Sequence, residues 1–185
     1  ASRAGRKLAA ALDHFALDPT GSVCLDAGAS TGGFTDCLLQ RGARRVYAVD
    51  VGYGQLDLRL RNDPRVVVME RTNARYLPAD ALAERCQLIT ADLSFISLVK
   101  VVPALLLQLQ PDGYLLPLIK PQFEAGRGAV GKGGILRDPE LRTRVIAETI
   151  AGLEALGLTS LGVLDSPVAG ADGNREALAL FRRSG

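Results

Sequence analysis

Histidine, tryptophan, methionine and cysteine are scarce in this sequence. Its 185 residues hold one histidine, one methionine, three cysteines and no tryptophan. With His14 as the single imidazole, a multi-histidine metal site is excluded, and a histidine-dependent triad would have only this side chain to use. Cys24, Cys37 and Cys86 form no C-x-x-C pair, which argues against a zinc site or a dithiol redox motif. We therefore expect no bound metal, three free thiols and a reducing, cytoplasmic compartment.

Long apolar runs and a strong excess of charge are also lacking. No window approaches 18 consecutive apolar residues, and the start of the chain has no apolar h-region, so we expect neither a membrane span nor a signal peptide. The net charge is only +2, so any basic surface for nucleic acid must be local. The one methionine is Met69, and we expect the chain to be a piece of a longer protein.

Apolar runs and helical patterns alternate along the chain, which has the length of one domain. This alternation predicts βαβ units and an α/β fold with a parallel sheet between two layers of helices. The predicted strands are residues 22–27, 45–50, 66–70, 87–92, 114–120, 158–164 and 177–182, and the predicted helices are 3–15, 31–41, 98–109 and 139–156. Residues 121–137 hold five glycines without a period, which is typical of a functional loop or of a disordered segment.

A glycine-rich turn after the first predicted strand, residues 26–34, is the strongest local signal. Ligands of doubly wound sheets bind at such strand ends. Ser30 stands where a dinucleotide fingerprint has its second glycine, so the turn suits a nucleoside without phosphates, such as S-adenosylmethionine, better than NAD. Asp50 ends the second strand, where a carboxylate can accept hydrogen bonds from both ribose hydroxyls. A glycine-rich turn of unrelated function remains the alternative.

Two opposite charges end neighbouring strands, Asp92 on the fourth and Lys120 on the fifth. In one crevice they would shift each other's pKa and allow the amine to hold or accept a proton from a hydroxyl. A salt bridge without catalytic use explains the pattern equally well. Near the start, Arg3, Arg6 and Lys7 form a basic cluster, either a solvated helix face or a contact to phosphates.

Nine short runs, taken together, resemble one family over residues 2–182. They are SRAGRKL (2–8), LDAGASTGGFTD (25–36), AVDVGYGQL (48–56), RNDPRV (61–66), ERTNAR (70–75), DLSFISL (92–98), KPQFEAGR (120–127), VGKGGILRDP (130–139) and GNREAL (173–178). The sequence resembles the TlyA (hemolysin A) family of FtsJ-like ribosomal RNA 2′-O-methyltransferases. It departs from the family pattern in Ala4, in Arg6 and in the Ala-Leu after Glu176.

The resemblance implies a fold, an activity and a set of site residues. The fold would be the class I S-adenosylmethionine-dependent methyltransferase fold, a mostly parallel seven-stranded sheet with its last strand antiparallel. The activity would be 2′-O-methylation of cytidines in 16S and 23S ribosomal RNA, although no residue here specifies the base. A catalytic tetrad is implied, consisting of Lys7, Asp92, Lys120 and Glu176. The implied donor-binding residues are Asp26, Gly28, Ser30, Thr31, Gly32, Gly33, Phe34, Asp50, Val51, Asn73, Ala74 and Asp92.

The predicted substrate contacts and partners complete these expectations. The candidates for contact with RNA are Arg3, Arg6, Ser94, Phe95, Arg127, Arg137 and Lys132. Arginine richness that reflects only genome composition is the alternative for the basic residues among them. The resemblance also implies an N-terminal S4-like RNA-binding domain, with residues 1–7 as the junction to it. A membrane-active haemolysin and a catalytically silent donor-binding domain are the rival functions.

Overall fold

Seven strands form one mixed sheet in the order β3-β2-β1-β4-β5-β7-β6. The structure is a computed structural model and describes residues 2–184, except for the side chain of Arg127. Strands β1 to β5 are parallel, and β7 runs antiparallel to both β5 and β6, as the resemblance implied. The strands are β1 (Val23–Ala27), β2 (Arg45–Val49), β3 (Val66–Met69), β4 (Cys86–Ala91), β5 (Leu109–Ile119), β6 (Leu158–Asp165) and β7 (Ala177–Arg183).

Helices cover both faces of this sheet. They are α1 (Arg3–His14), α2 (Gly33–Gln40), α3 (Leu58–Arg61), α4 (Leu98–Leu106), α5 (Pro121–Glu124) and α6 (Pro139–Glu154), with 3₁₀ turns at Ala74–Tyr76, Arg127–Ala129 and Lys132–Gly134. Side chains of α1, α2 and α3 pack on one face of the sheet, and those of α4 and α6 pack on the other. Successive side chains of a strand point to opposite faces of a sheet. In β1, Cys24 packs in the core on the side of α1, α2 and α3, and Leu25 packs in the core on the side of α4 and α6. Cys24, Cys37 and Cys86 are buried free thiols.

The main departure from the predicted elements lies around β5. This strand begins at Leu109, five residues before the predicted start, and α4 ends at Leu106 instead of residue 109. Pro117 lies inside β5, and the ladder to β7 pairs residues 114–115 and 118–119 with a gap at that proline. Proline has no backbone N–H, so Pro117 cannot donate a hydrogen bond to the ladder, and the ladder is interrupted at this residue.

Five short elements within residues 2–184 escaped prediction. Three of them, α5 and the 3₁₀ turns at Arg127–Ala129 and Lys132–Gly134, lie in residues 121–137, where a functional loop or a disordered segment was expected. The other two, α3 and the 3₁₀ turn at Ala74–Tyr76, each depend on one capping side chain: Asp57 accepts a hydrogen bond from Arg59 N, and Asn73 accepts one from Arg75 N. A single turn is too short to show helical periodicity. Within residues 2–184, no helix combines the length and hydropathy needed to span a bilayer.

Strand order places the candidate site residues at one edge of the sheet. The order reverses between β1 and β4, so the carboxyl ends of these two strands open a crevice at a topological switch point. The residues that directly follow β1, β2, β4 and β5 are Gly28, Asp50, Asp92 and Lys120. The fold therefore brings together four positions that are far apart in the chain.

Candidate active site

A cleft of about 360 Å³ opens at this switch point. Its floor and walls come from the turns after β1, β2 and β4 and from the segment after β3. The lining residues are Gly28, Ser30, Val49, Asp50, Val51, Gln55, Thr72, Asn73, Ala74, Asp92, Leu93, Ser94, Phe95, Ile96 and Val101. A cleft of this size, mainly apolar with a few polar groups, is typical of a small-ligand site.

The turn after β1 is shaped by Gly28, which has φ = +85°. A Cβ at this position would collide with the carbonyl oxygen of Asp92, so only glycine lets the two strand ends approach. The amides of Gly28 and Ala29 both donate to the Val49 carbonyl, at 2.8 and 3.0 Å. The turn is thereby tied to the end of β2.

Asp50 is held rigidly at the end of β2. Its Oδ2 accepts a hydrogen bond from Ser30 N at 2.7 Å, and its Oδ1 accepts one from Gly52 N at 2.7 Å. Each carboxylate oxygen keeps a further lone pair, and the residue lines the cleft. A fixed two-oxygen acceptor facing a small-ligand cleft is suited to a vicinal diol such as a ribose.

Asp26 lies beneath the turn and is fully buried. Burial raises the pKa of its carboxyl from 3.8 to about 7; the Thr35 hydrogen bond opposes this, and the nearby Asp92 and Asp50 reinforce it. Thr35 Oγ1 donates to Oδ2 at 2.8 Å, whereas Oδ1 has no partner among the described residues. Asp26 therefore supports the turn from below and does not line the cleft.

Asp92 and Lys120 form an ion pair beside the cleft, with Nζ 2.6 Å from Oδ1. The ammonium also donates to Ser94 Oγ at 3.0 Å. Both charged side chains are only partly buried, 14% exposed for Lys120 and 22% for Asp92, so a substrate can reach them. An amine with an adjacent carboxylate at a cleft wall can hold a hydroxyl and accept its proton.

A second ion pair, Lys7–Glu176, is buried next to α5. Lys7 Nζ lies 2.9 Å from Glu176 Oε1, and both side chains are less than a tenth exposed. Gln122 Nε2 donates to the other oxygen, Oε2, at 3.2 Å. The backbone of Gly170 covers the carboxylate, because a Cβ there would come within 2.7 Å of Oε2. Arg3, one turn before Lys7 on α1, donates to the carbonyls of residues 169 and 170 at 3.3 Å.

The segment from Lys120 to Glu124 connects these groups. Phe123 packs on Phe95 with ring centroids 4.8 Å apart. Glu124 accepts hydrogen bonds from Ser97 Oγ at 2.6 Å and Leu98 N at 2.9 Å, so it caps α4 from outside that helix. Burial raises the pKa of the Glu124 carboxyl, although those two hydrogen bonds oppose the shift. Sequence reasoning missed this cap, because its donor and acceptor lie 26 residues apart and no local pattern marks it.

A family model described as FtsJ-like methyltransferase matches residues 1–183 of this chain. The chain belongs to the FtsJ-like methyltransferase family. It is 55% identical over 181 residues to the 16S/23S rRNA (cytidine-2′-O)-methyltransferase TlyA of Mycobacterium tuberculosis, covering 98% of this chain and 68% of the relative. It is also 46% identical to Hemolysin A of Brachyspira hyodysenteriae, covering 97% of this chain and 75% of that protein.

Solved structures agree with this assignment. A Lactococcus lactis protein named as a hemolysin superposes with a TM-score of 0.95 at 46% identity, covering 100% of this chain and 88% of that one. The N-methyltransferase NodS of Bradyrhizobium japonicum, solved with S-adenosyl-L-homocysteine, superposes with a TM-score of 0.68 at 19% identity, covering 99% and 86%. This second likeness shows the shared fold of S-adenosylmethionine-dependent methyltransferases.

The donor-binding positions expected of an FtsJ-like protein divide into two groups. Seven of them line the cleft: Gly28, Ser30, Asp50, Val51, Asn73, Ala74 and Asp92. The other five do not line it: Asp26, Thr31, Gly32, Gly33 and Phe34. A Cβ at Gly32 would strike Leu60, and one at Gly33 would lie 2.5 Å from Ser2 Oγ, so these glycines admit α3 and α1.

The positions expected to contact RNA are also spread. Ser94 and Phe95 lie at the cleft, and Phe95 is 88% exposed with φ = +63°. Arg6, Arg137 and Lys132 are exposed, whereas the guanidinium of Arg3 is engaged with the loop carbonyls described above. The side chain of Arg127 lies outside the described part of the chain. The cleft residues Val49, Gln55, Thr72, Leu93, Ile96 and Val101 were not predicted.

Proposed function

We propose that this chain transfers a methyl group from S-adenosylmethionine to a ribose 2′-hydroxyl of ribosomal RNA, with cytidine as the target nucleoside. The observation that carries the proposal is the ion pair that Lys120 forms with Asp92, a residue that lines the switch-point cleft. The ribosomal RNA and the cytidine follow from the similarity to the M. tuberculosis 16S/23S rRNA (cytidine-2′-O)-methyltransferase. This chain spans about two thirds of the M. tuberculosis relative. An S4-like domain in cis, joined at residues 1–7 and adding RNA affinity, is a further part of the proposal and rests on the family resemblance.

The cleft fits the donor on its own geometry. Asp50 would accept hydrogen bonds from the ribose hydroxyls, and Asn73 with Ala74 would face the adenine from the segment after β3. Gly28 lets the backbone of Asp92 close against the turn that would hold the donor. S-adenosylmethionine, when bound, supplies a methyl group attached to a positively charged sulfonium. Asp92, a carboxylate on the cleft wall, favours that positive charge by Coulomb attraction.

Lys120 would act on the attacking hydroxyl. Its Nζ, held by Asp92 and Ser94, would bind the 2′-oxygen. As an ammonium it would stabilise the developing negative charge, and as a neutral amine it would instead take the proton of the hydroxyl. Alignment of a hydroxyl with a reactive carbon is worth as much as ~7–11 kcal/mol in ideal cases, and positioned acid–base help adds ~10²–10⁴-fold. Lys7 and Glu176 would orient the ribose from the far side of α5.

Substrate RNA would enter over Phe95. An exposed aromatic ring beside the cleft is suited to stacking on a base turned out of its helix. Arg6, Arg127, Arg137 and Lys132 would contribute phosphate contacts, and the chain would act in the cytoplasm, where ribosomes are found.

The test is methylation of ribosomal subunits with isotopically labelled donor. We expect Lys120→Ala to lose at least ~10²-fold in kcat, the lower range of acid–base help. Lys100→Ala is the matched control, since Lys100 is exposed on α4 and does not line the cleft. Label on the base instead of the 2′-oxygen, or Lys120→Ala activity within a few-fold of the parent, contradicts the proposal. Leakage of liposomes by the pure protein would instead favour a membrane-active haemolysin.

A further inference from the structure

Gln122 is the one residue of α5 whose side chain reaches the second ion pair. Its Nε2 donates to Glu176 Oε2 at 3.2 Å, and the residue is 7% exposed. Glu176 Oε1 contacts Lys7, so one carboxylate oxygen accepts from an ammonium and the other from an amide. Nothing in the sequence patterns or in the resemblance assigned a role to this glutamine.

Gln122 and Lys120 contact different groups although they are only two residues apart. Lys120 is the N-cap residue of α5 and has extended backbone, with φ = −108° and ψ = 96°, whereas Gln122 lies inside the helical turn. Lys120 contacts Asp92 and Ser94, and Gln122 contacts Glu176, the residue before β7. One short segment therefore contributes a side chain to each of the two ion pairs.

We propose that Gln122 is a positioning residue of the methyl-transfer site, whose amide holds Glu176 so that the Lys7–Glu176 pair keeps a fixed place relative to Lys120. The inference rests on the proposed function. A neutral donor is suited to this place, because it satisfies Oε2 without competing with Lys7 for the negative charge. A carboxyl there would oppose Glu176 in a buried setting, and an apolar side chain would leave Oε2 without its donor.

Two substitutions separate the hydrogen bond from the bulk of the side chain. Gln122→Met keeps the approximate size and removes the donor. Gln122→Glu places a carboxyl beside Glu176, and burial with a like charge raises the pKa of the introduced group. When protonated, that group can donate to Oε2 as the amide does; when ionised, it repels Glu176. The charged group in contact with it is Glu176, the residue before β7; beyond that carboxylate lie Lys7 on α1 and Asp172 in the loop before β7.

We expect Gln122→Met to lower kcat about 10- to 100-fold at every pH, the value of one hydrogen bond to a charged group. The dissociation constant for S-adenosylhomocysteine should stay within about twofold, because Gln122 does not line the cleft and so loses no donor contact. The activity ratio of Gln122→Glu to Gln122→Met should rise several-fold as the pH falls from 9 to 6.

Gln108 provides the matched control. It is also buried, at 2% exposed, and its Nε2 donates to the Pro78 carbonyl at 2.6 Å, away from both ion pairs. Gln108→Met and Gln108→Glu should lower stability but leave their kcat ratio flat with pH. A kcat for Gln122→Met within twofold of the parent, or a flat ratio for the Gln122 pair, overturns the inference.

A readout without substrate separates this inference from the proposed function. If the parent protein methylates no RNA, the proposed function fails, and the contact is then tested by unfolding alone. The unfolding midpoint of Gln122→Glu should rise relative to that of Gln122→Met as the pH falls, because the folded state binds the extra proton. A constant difference between the two midpoints would show that the introduced carboxyl does not face Glu176, and the inference would fail.

Discussion

The α-carbon of Gly28 packs against the backbone carbonyl of Asp92 so closely that a Cβ would overlap the oxygen. Asp92 N in turn donates to the Ala27 carbonyl at 2.9 Å, so the ends of β1 and β4 are joined on both sides of the cleft. This one approach brings the glycine-rich turn and the Asp92 carboxylate together. The cleft and the Lys120–Asp92 pair consequently share one unit of backbone, formed by the ends of β1 and β4.

Gly28→Ala should lower the stability of the protein and disrupt the contact between the ends of β1 and β4. The new methyl group meets backbone, which cannot move aside like a flexible side chain, and φ = +85° adds strain of ~1–2 kcal/mol. We expect loss of at least ~2–3 kcal/mol in the free energy of unfolding and no measurable binding of S-adenosylhomocysteine. Gly54→Ala is the control, since φ is +69° there but nothing lies within 4 Å of the added atom. Urea unfolding of both variants checks this, and equal losses would contradict it.

Asp50→Asn should weaken donor binding while the fold is kept. The carboxylate accepts from Ser30 N and Gly52 N, and an amide NH₂ would face one of these donors without an acceptor. We expect affinity for S-adenosylhomocysteine to fall ~10- to 100-fold by calorimetry. Asp57→Asn, at the cap of α3 and outside the cleft, is the control. Equal affinities of the Asp50 variant and the parent for S-adenosylhomocysteine would show that Asp50 does not bind the donor.

The sequence predicted the order of the seven strands along the chain and the four residues after β1, β2, β4 and β5, because buried parallel strands and their glycine or charged ends are local patterns. Lys7 and Glu176 could be named only through the resemblance, since their pairing joins residues 169 positions apart. Gln122 and the Glu124 cap escaped both routes. Their partners are set by the packing of α5 between β7 and α4, which no periodicity encodes.

Asp26 gives a stability prediction with a defined sign. Its folded pKa of about 7 lies above the ordinary 3.8, so the folded state binds more protons and becomes less stable as the pH rises through this window. Asp26→Asn removes the buried charge. The free energy of unfolding of this variant, relative to that of the parent, should increase by on the order of 2–4 kcal/mol from pH 4 to pH 8, as measured by urea unfolding.

Asp18→Asn is the control for this pH window. Hydrogen bonds from Thr20 lower the pKa of the exposed Asp18 carboxyl. The contribution of Asp18 to the free energy of unfolding therefore changes only as the pH falls to its ordinary pKa and below, and it is constant between pH 5 and 8. A flat difference for Asp26→Asn across the same range would show that its carboxyl is ionised throughout, and the assigned burial effect would be wrong.

Arg3 and Arg6 lie on α1 three residues apart, yet they should respond differently to loss of the guanidinium. Arg6 is exposed and available to a phosphate, whereas Arg3 donates to the carbonyls of residues 169 and 170 above Glu176. Arg6→Ala should reduce the slope of log Kd for RNA against log salt by ~0.7–0.9, one phosphate contact. Arg3→Ala should leave that slope unchanged and lower the free energy of unfolding by ~0.5–1.5 kcal/mol. Salt titrations and urea unfolding of both variants distinguish the two roles. A reduced slope for Arg3→Ala would show that Arg3 contacts RNA and does not serve mainly to hold the loop over Glu176.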